Sequence, residues 1–155
     1  MYKGYTVQPY SPKAGTAISS HELNQPGTYQ DVTDTSVTAQ FKIINDSLPE
    51  FLRTSDELYL LAWTTTPWTI PSNLAIAFHP ELTYGVYETQ NSDGDVRAVI
   101  LAQDLAGRVE RETNMTLGSP LATFQGRDLE SLRFRHPLYE RDSIAVLADY
   151  VTLEQ

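Results

Sequence analysis

The residues of this 155-residue chain best suited to chemistry are hydroxyls. Thr64, Thr65 and Thr66 stand together, followed by Pro67-Trp68-Thr69 and then Ile70-Pro71-Ser72-Asn73. They come directly after the apolar run Leu58–Trp63, which reads as a strand. Strand alternation sends Thr64 and Thr66 to one face and Thr65 to the other. Pro67 lacks an N–H and ends the ladder, and it holds the residue before it in extended geometry. The product is a strand end that presents stiff hydroxyls beside a large aromatic. Such a place suits positioning a water, donating hydrogen bonds to a developing oxyanion, and measuring a side chain. Threonine is not a strong base near neutral pH, so Thr64, Thr65 and Thr66 are assigned to positioning and not to proton abstraction. The plainer alternative stays open: threonine is a good strand former, and Pro-Trp could be packing at a barrel rim.

Other chemistries find little support. Zero cysteines remove disulfides, thiolate nucleophiles and cysteine-based zinc sites. His21, His79 and His136 show no metal-ligand spacing and read as unrelated surface or turn residues. No credible Ser-His-Asp set stands out. There is no run of eighteen apolar residues for a membrane helix, and Met1–Tyr5 lacks the apolar stretch of a secretory signal. A cytoplasmic location is therefore expected, and the glycosylation sequon Asn114-Met115-Thr116 reads as chance. The net charge of −9 argues against gripping nucleic acid over a broad surface. The closest basic grouping, Arg127, Arg133, Arg135 and Arg141, leaves room for a local contact with one end of a polynucleotide.

The elements that must position the hydroxyls follow from patterning. Nine prolines and eight glycines cut the chain into short segments, which favours strands. Residues 1–12 read as a strand or two, and residues 24–31 as a turn region. Ser36–Ile43 alternates as a half-buried strand, while Leu58–Trp63 suits a strand buried on both faces. Ser47–Leu52 reads as one helical turn. Ala75–Phe78 and Tyr84–Glu88 read as a strand pair around His79-Pro80-Glu81. Asn91–Asp95 is a hairpin turn returning through Val96–Leu101. The best helix spans about Ala102–Thr113, with Leu105 and Val109 on one face and an Arg108–Glu112 pair. Asp128–Arg133 reads as a second short helix and Ser143–Ala148 as a buried strand. The fold expected is mostly β, a β-barrel-like domain with one or two short peripheral helices, with α+β as the alternative.

The segment Trp63–Ala77, continuing through His79-Pro80-Glu81-Leu82-Thr83-Tyr84, closely resembles the editing-domain signature of isoleucyl-tRNA synthetases. The leucyl and valyl relatives carry Thr-Thr-Arg-Pro there, whereas this chain has Thr66 at the third position. Tyr10-Ser11-Pro12 with Thr16-Ala17-Ile18-Ser19 and Glu22 is similar to the family's strand into the editing insertion. Phe124-Gln125-Gly126, His136-Pro137-Leu138 and Val146–Thr152 also fit. On this resemblance residues 1–26 are expected to be an incoming strand and linker from the synthetase body, and residues 27–155 the editing domain.

The resemblance implies hydrolysis of the ester joining valine to the 3′ end of isoleucine tRNA. It implies Trp68 as a wall against the larger side chain, with Thr69 and Asn73 lining the same pocket. It further implies the rest of the synthetase and the valyl-tRNA 3′ end as partners, with neither membrane nor DNA. No cofactor or metal is expected in this piece; ATP and Mg serve the parent. The family continues past Gln155 with a Gly-Thr-Gly turn and a segment supplying a histidine and an aspartate to the pocket. The chain is accordingly expected to be a fragment that edits poorly or not at all alone. Two other readings are an editing domain of a valyl or leucyl enzyme, and a non-catalytic β-barrel module whose Thr/Trp cluster contacts a small molecule or peptide.

Overall fold

The computed structural model describes residues 3–44, 48–49, 52–53, 57–90 and 94–153. The chain divides into two compact units, Met1–Asp34 and Thr35–Gln155.

In the first unit, β1 (Tyr10–Ser11) pairs antiparallel with β2 (Thr16–Ala17), and Gly15 takes the left-handed turn position between them at φ 68°. The strand expected over residues 1–12 is thus confined to Tyr10–Ser11 among the described residues. A four-residue helix, α1 (Ser20–Leu23), follows, its start closed by a reciprocal cap. The Ser19 N–H donates to Glu22 at 2.7 Å and the Glu22 N–H to the Ser19 hydroxyl at 3.3 Å. The Ser19 N–H, together with the Ser19 hydroxyl donating to the same carboxylate at 2.7 Å, holds the Glu22 carboxyl below its ordinary value.

The second unit is a curled, mixed sheet of eight described strands. They are β3 (Val37–Ile43), β4 (Leu58–Thr64), β5 (Ala75–Phe78), β6 (Thr83–Gln90), β7 (Val96–Ala102), β8 (Ala122–Gln125), β9 (Arg133–Arg135) and β10 (Asp142–Leu147). Their order is β5-β10-β9-β3-β4-β7-β6-β8, with β10–β5 and β4–β7 parallel and the other pairs antiparallel. The mostly-β, barrel-like expectation holds.

Strand alternation builds the core. Phe41 and Ile43 of β3, and Leu58 and Leu60 of β4, turn to the main core around Phe78, Ile100, Leu129 and Phe134. Tyr59 and Leu61 pack on the opposite face against Tyr87, Val99 and Leu101. β4 is therefore covered on both faces, as its apolar run suggested, although its end opens to solvent, with Trp63 37% exposed. The β6–β7 hairpin runs in register from Tyr84↔Ala102 to Gln90↔Val96. Its turn residues Asn91, Ser92 and Asp93 lie outside the described residues, and Gly94 takes φ 86°. The helical turn read at Ser47–Leu52 falls largely on Ser47, Glu50 and Phe51, also outside them; Leu52 is fully buried.

β5 and β6 do not pair with each other. β8 occupies the edge of β6 that a hairpin would have used, with Tyr84 opposite Phe124. The chain instead turns a corner at His79–Leu82, and the Phe78 and Tyr84 rings meet edge to face at 5.4 Å in the core. β5 then finds a partner far along the sequence, with Ala75 opposite Ile144. The expected helix at Asp128–Arg133 is a 3-10 turn, Gly126–Leu129, because Ser131 at φ 69° breaks the helical path before β9. This turn bridges the two ends of the sheet: the Gly126 N–H donates to the Leu82 carbonyl and the Arg127 N–H to the Pro80 carbonyl. A β-carbon on Gly126 would lie 2.0 Å from the His79 carbonyl oxygen, so only glycine permits that approach.

The helix expected over Ala102–Thr113 forms as a 3-10 turn, Gln103–Leu105, leading into α2 (Ala106–Thr113). α2 ends on Asn114 in the left-handed conformation, φ 56°. Arg108 and Glu112 pair at 2.7 Å.

Candidate functional site

The hydroxyl segment lies where β4 ends. Thr64 is the last strand residue, and Pro67 starts a 3-10 turn, Pro67–Ser72. Proline suits that position, because a first-turn N–H has no intrahelical partner. Local hydrogen bonds gather three hydroxyls. The Thr66 N–H donates to Thr64 Oγ1 at 3.0 Å, and the two hydroxyl oxygens stand 3.2 Å apart. Thr69 Oγ1 donates to the Thr66 carbonyl at 2.7 Å and lies 3.5 Å from Thr66 Oγ1. The Thr69 proton is therefore committed to a carbonyl, and its oxygen remains as an acceptor. The structure thus joins Thr64, Thr66 and Thr69; Thr65 is exposed and outside this chain of hydroxyls.

A cavity of ≈ 510 Å³ opens beside them. Thr64, Thr69, Ile70 and Asn73 line it, with Leu60, Ala62, Ile76, Phe78 and Tyr84 among its apolar walls and the 150–153 segment on another side. Its volume falls within the range of about 300–1,000 Å³ usual for small-molecule sites. Thr65, Thr66 and Trp68 do not line it. Trp68 is 66% exposed, so its indole does not form the expected wall in this structure; Ile70 of the same turn stands on the cavity instead. Deep in the cavity, burial pushes the Tyr84 phenol above its ordinary value, opposed by a bond from the His79 N–H to its hydroxyl. Trp63, Arg108 and Glu112 also border the cavity, with the guanidinium 5.3 Å from the indole centre.

Asn73 is fixed at both ends of its amide. Nδ2 donates to the Ala75 carbonyl at 2.9 Å, and Oδ1 accepts from Ser143 at 2.5 Å. These partners assign the orientation of the amide. They also leave it only its second proton and lone pair for a ligand.

Sequence reading missed His136. Far from being a surface histidine, it is 2% exposed, and its Nε2 lies 2.7 Å from the Ile70 carbonyl oxygen. The only signal available was the match of His136-Pro137-Leu138 to the family pattern. Among the described residues no group of three or more His, Asp or Glu side chains converges as a metal site. No described helix is long and apolar enough to cross a membrane.

No family model matches the chain. Relatives do. The isoleucine–tRNA ligase of Cytophaga hutchinsonii is 41% identical over 99% of this chain and 15% of its own length. That of Bacteroides fragilis is 40% identical with the same coverage. That of Bacteroides thetaiotaomicron is 54% identical over 68% of this chain and 9% of its own length. The chain belongs with the isoleucine–tRNA ligases. It spans about 15% of the length of the first of these ligases. The solved GlLeuRS-CP1 structure superposes with a TM-score of 0.60 over 78% of this chain and 51% of the other, at 20% identity. The chain therefore shares the fold of that domain.

Proposed function

We propose that this chain is the editing domain of an isoleucine–tRNA ligase and that it hydrolyses valyl esters at the 3′ end of isoleucine tRNA. One observation carries the reading: three threonine hydroxyls are gathered at the end of β4, and two of them, on Thr64 and Thr69, line a largely apolar cavity. An aminoacyl ester is labile already, so its hydrolysis needs a placed water and donors for the oxyanion more than a covalent nucleophile. Thr69 Oγ1, with its proton committed to the Thr66 carbonyl, accepts a hydrogen bond from the attacking water. Thr64, at the other end of the hydroxyl chain, supplies a donor to the ester oxygen.

The need for such a site is physical. One methylene in an apolar pocket is worth only about 10- to 200-fold in discrimination, and the isoleucine enzyme is itself the standard illustration of that limit. At ≈ 510 Å³ the cavity is far larger than a valine side chain, so its total volume cannot be the sieve. A local wall must measure the side chain; Trp63 and Ile70, which adjoin Thr64 and Thr69 in sequence, both line the cavity, and Ile70 belongs to the same turn as Thr69. The reading places the domain in the cytosol, with the remainder of the synthetase and the aminoacylated tRNA end as partners. ATP and Mg belong to the parent's ligation reaction.

In the complete synthetase, Thr64→Val and Thr69→Val are each expected to slow deacylation of valyl-tRNA by roughly 100-fold, since misplacing water or losing one donor has at least that scale. Thr65→Val is expected to have little effect. Wild-type rates in both the Thr64 and Thr69 variants would refute the proposal.

A further inference from the structure

No residue of the Pro67–Ser72 turn is buried. A surface turn of this kind can satisfy its carbonyls with water, yet this one is tied at two carbonyls, and its cap Asn73 at a third point, to a single hairpin, β9–β10. His136 follows β9. Its Nδ1 accepts the N–H groups of Leu138 at 3.1 Å and Tyr139 at 3.2 Å. These bonds place the proton on Nε2, which donates to the Ile70 carbonyl at 2.7 Å. Arg141 donates through Nη2 to the Pro71 carbonyl. Ser143 of β10, fully buried, donates to Asn73 Oδ1 at 2.5 Å.

The imidazole is itself held. The Phe41 ring meets it edge-on at 6.4 Å and the Tyr139 ring lies at 5.3 Å. With both ring nitrogens engaged, His136 has no site free to exchange a proton with a substrate. What it fixes is the Ile70 peptide, one residue beyond Thr69. Thr69 is in turn hinged to Thr66 by its N–H at 3.0 Å and its hydroxyl at 2.7 Å. A shift of the Ile70 carbonyl therefore moves Thr69 Oγ1 relative to Thr64.

We propose that His136 is a positioning residue for the hydrolytic site, acting through the Ile70 carbonyl to set Thr69 against Thr64, with Ser143 doing the same for Asn73. The inference rests on the editing reading above.

The test uses the complete synthetase and measures kcat and KM for valyl-tRNA deacylation, with isoleucylation as the check that the enzyme is folded. His136→Phe fills the space without a donor. It is expected to lower kcat roughly 10- to 100-fold while KM changes by less than about twofold, the signature of lost orientation and not lost binding. His136→Gln puts an amide N–H near the place of Nε2 and is expected to recover most of the loss. Ser143→Ala, a small change, is expected to lower kcat while isoleucylation is retained. Wild-type kcat in His136→Phe, or a glutamine variant no better than phenylalanine, overturns the inference. If His136→Phe does not fold, Ser143→Ala decides: reduced kcat supports the inference and wild-type kcat overturns it. Wild-type kcat in Thr64→Val and Thr69→Val would instead remove the editing reading beneath it.

Discussion

The β6–β7 hairpin and the Thr64–Asn73 segment hold their shapes by opposite means. The hairpin is a seven-pair ladder carrying Val86, Val99 and Ile100, each at most 1% exposed. The site segment buries nothing within its 3-10 turn and is placed by side-chain bonds from another hairpin. Burial stabilises in proportion to apolar area and tolerates small shifts, because it has no direction. Hydrogen bonds contribute about 0.5–1.5 kcal/mol net each but fix direction. The core should therefore govern whether the domain folds, and the polar ties should govern whether Thr64, Thr66 and Thr69 meet correctly.

The strongest way to break that contrast is in the core. Phe134 is fully buried and stacks on Phe78 at 6.2 Å. Phe134→Ala is expected to cost about 3–5 kcal/mol, read as a shift of the denaturation midpoint. A shift of only a few tenths of a kcal/mol would show that the core is not organised as described.

A smaller effect sharpens the boundary between the two regions, because Tyr84 belongs to both. It is 6% exposed, lines the cavity, and accepts the His79 N–H at 3.2 Å. Tyr84→Phe keeps the ring and is expected to cost about 0.5–1.5 kcal/mol. The phenol also sets a pH dependence. Burial raises its folded value, so the stability it adds is full below the ordinary phenol value and is lost as pH rises through the raised one. Denaturation midpoints followed above pH ~10 should fall less steeply in Tyr84→Phe than in the wild type. Parallel curves would contradict the assignment.

What the sequence made legible was local. The period-2 run Ser36–Ile43 became β3, the run Leu58–Trp63 became β4, and the runs Tyr84–Glu88 and Val96–Leu101 became the paired β6 and β7. The spacing of Arg108 and Glu112 gave the helix pair directly. What escaped was long-range. Nothing near Ala75 announces that its strand will lie parallel to β10, with Ile144 opposite it, or that β8 will take the edge of β6. Nor does Gly126 announce, before the fold exists, that a carbonyl will lie where its side chain would be. The hydroxyl cluster was legible as three neighbours, but its membership was not: the turn after Pro67 brings in Thr69 and leaves Thr65 aside. The position of Trp68 and the burial of His136 depend on how that turn meets β9–β10, which no local pattern encodes.

The most direct measurement of the central claim is a crystal structure of the complete synthetase with a non-hydrolysable valyl-adenosine analogue bound. The valine side chain is expected in the cavity beside Ile70, with the group replacing the ester within hydrogen-bond reach, about 2.7–3.2 Å, of Thr64 or Thr69 Oγ1. An analogue seated away from both hydroxyls, or one that leaves this cavity empty at saturation, would contradict it.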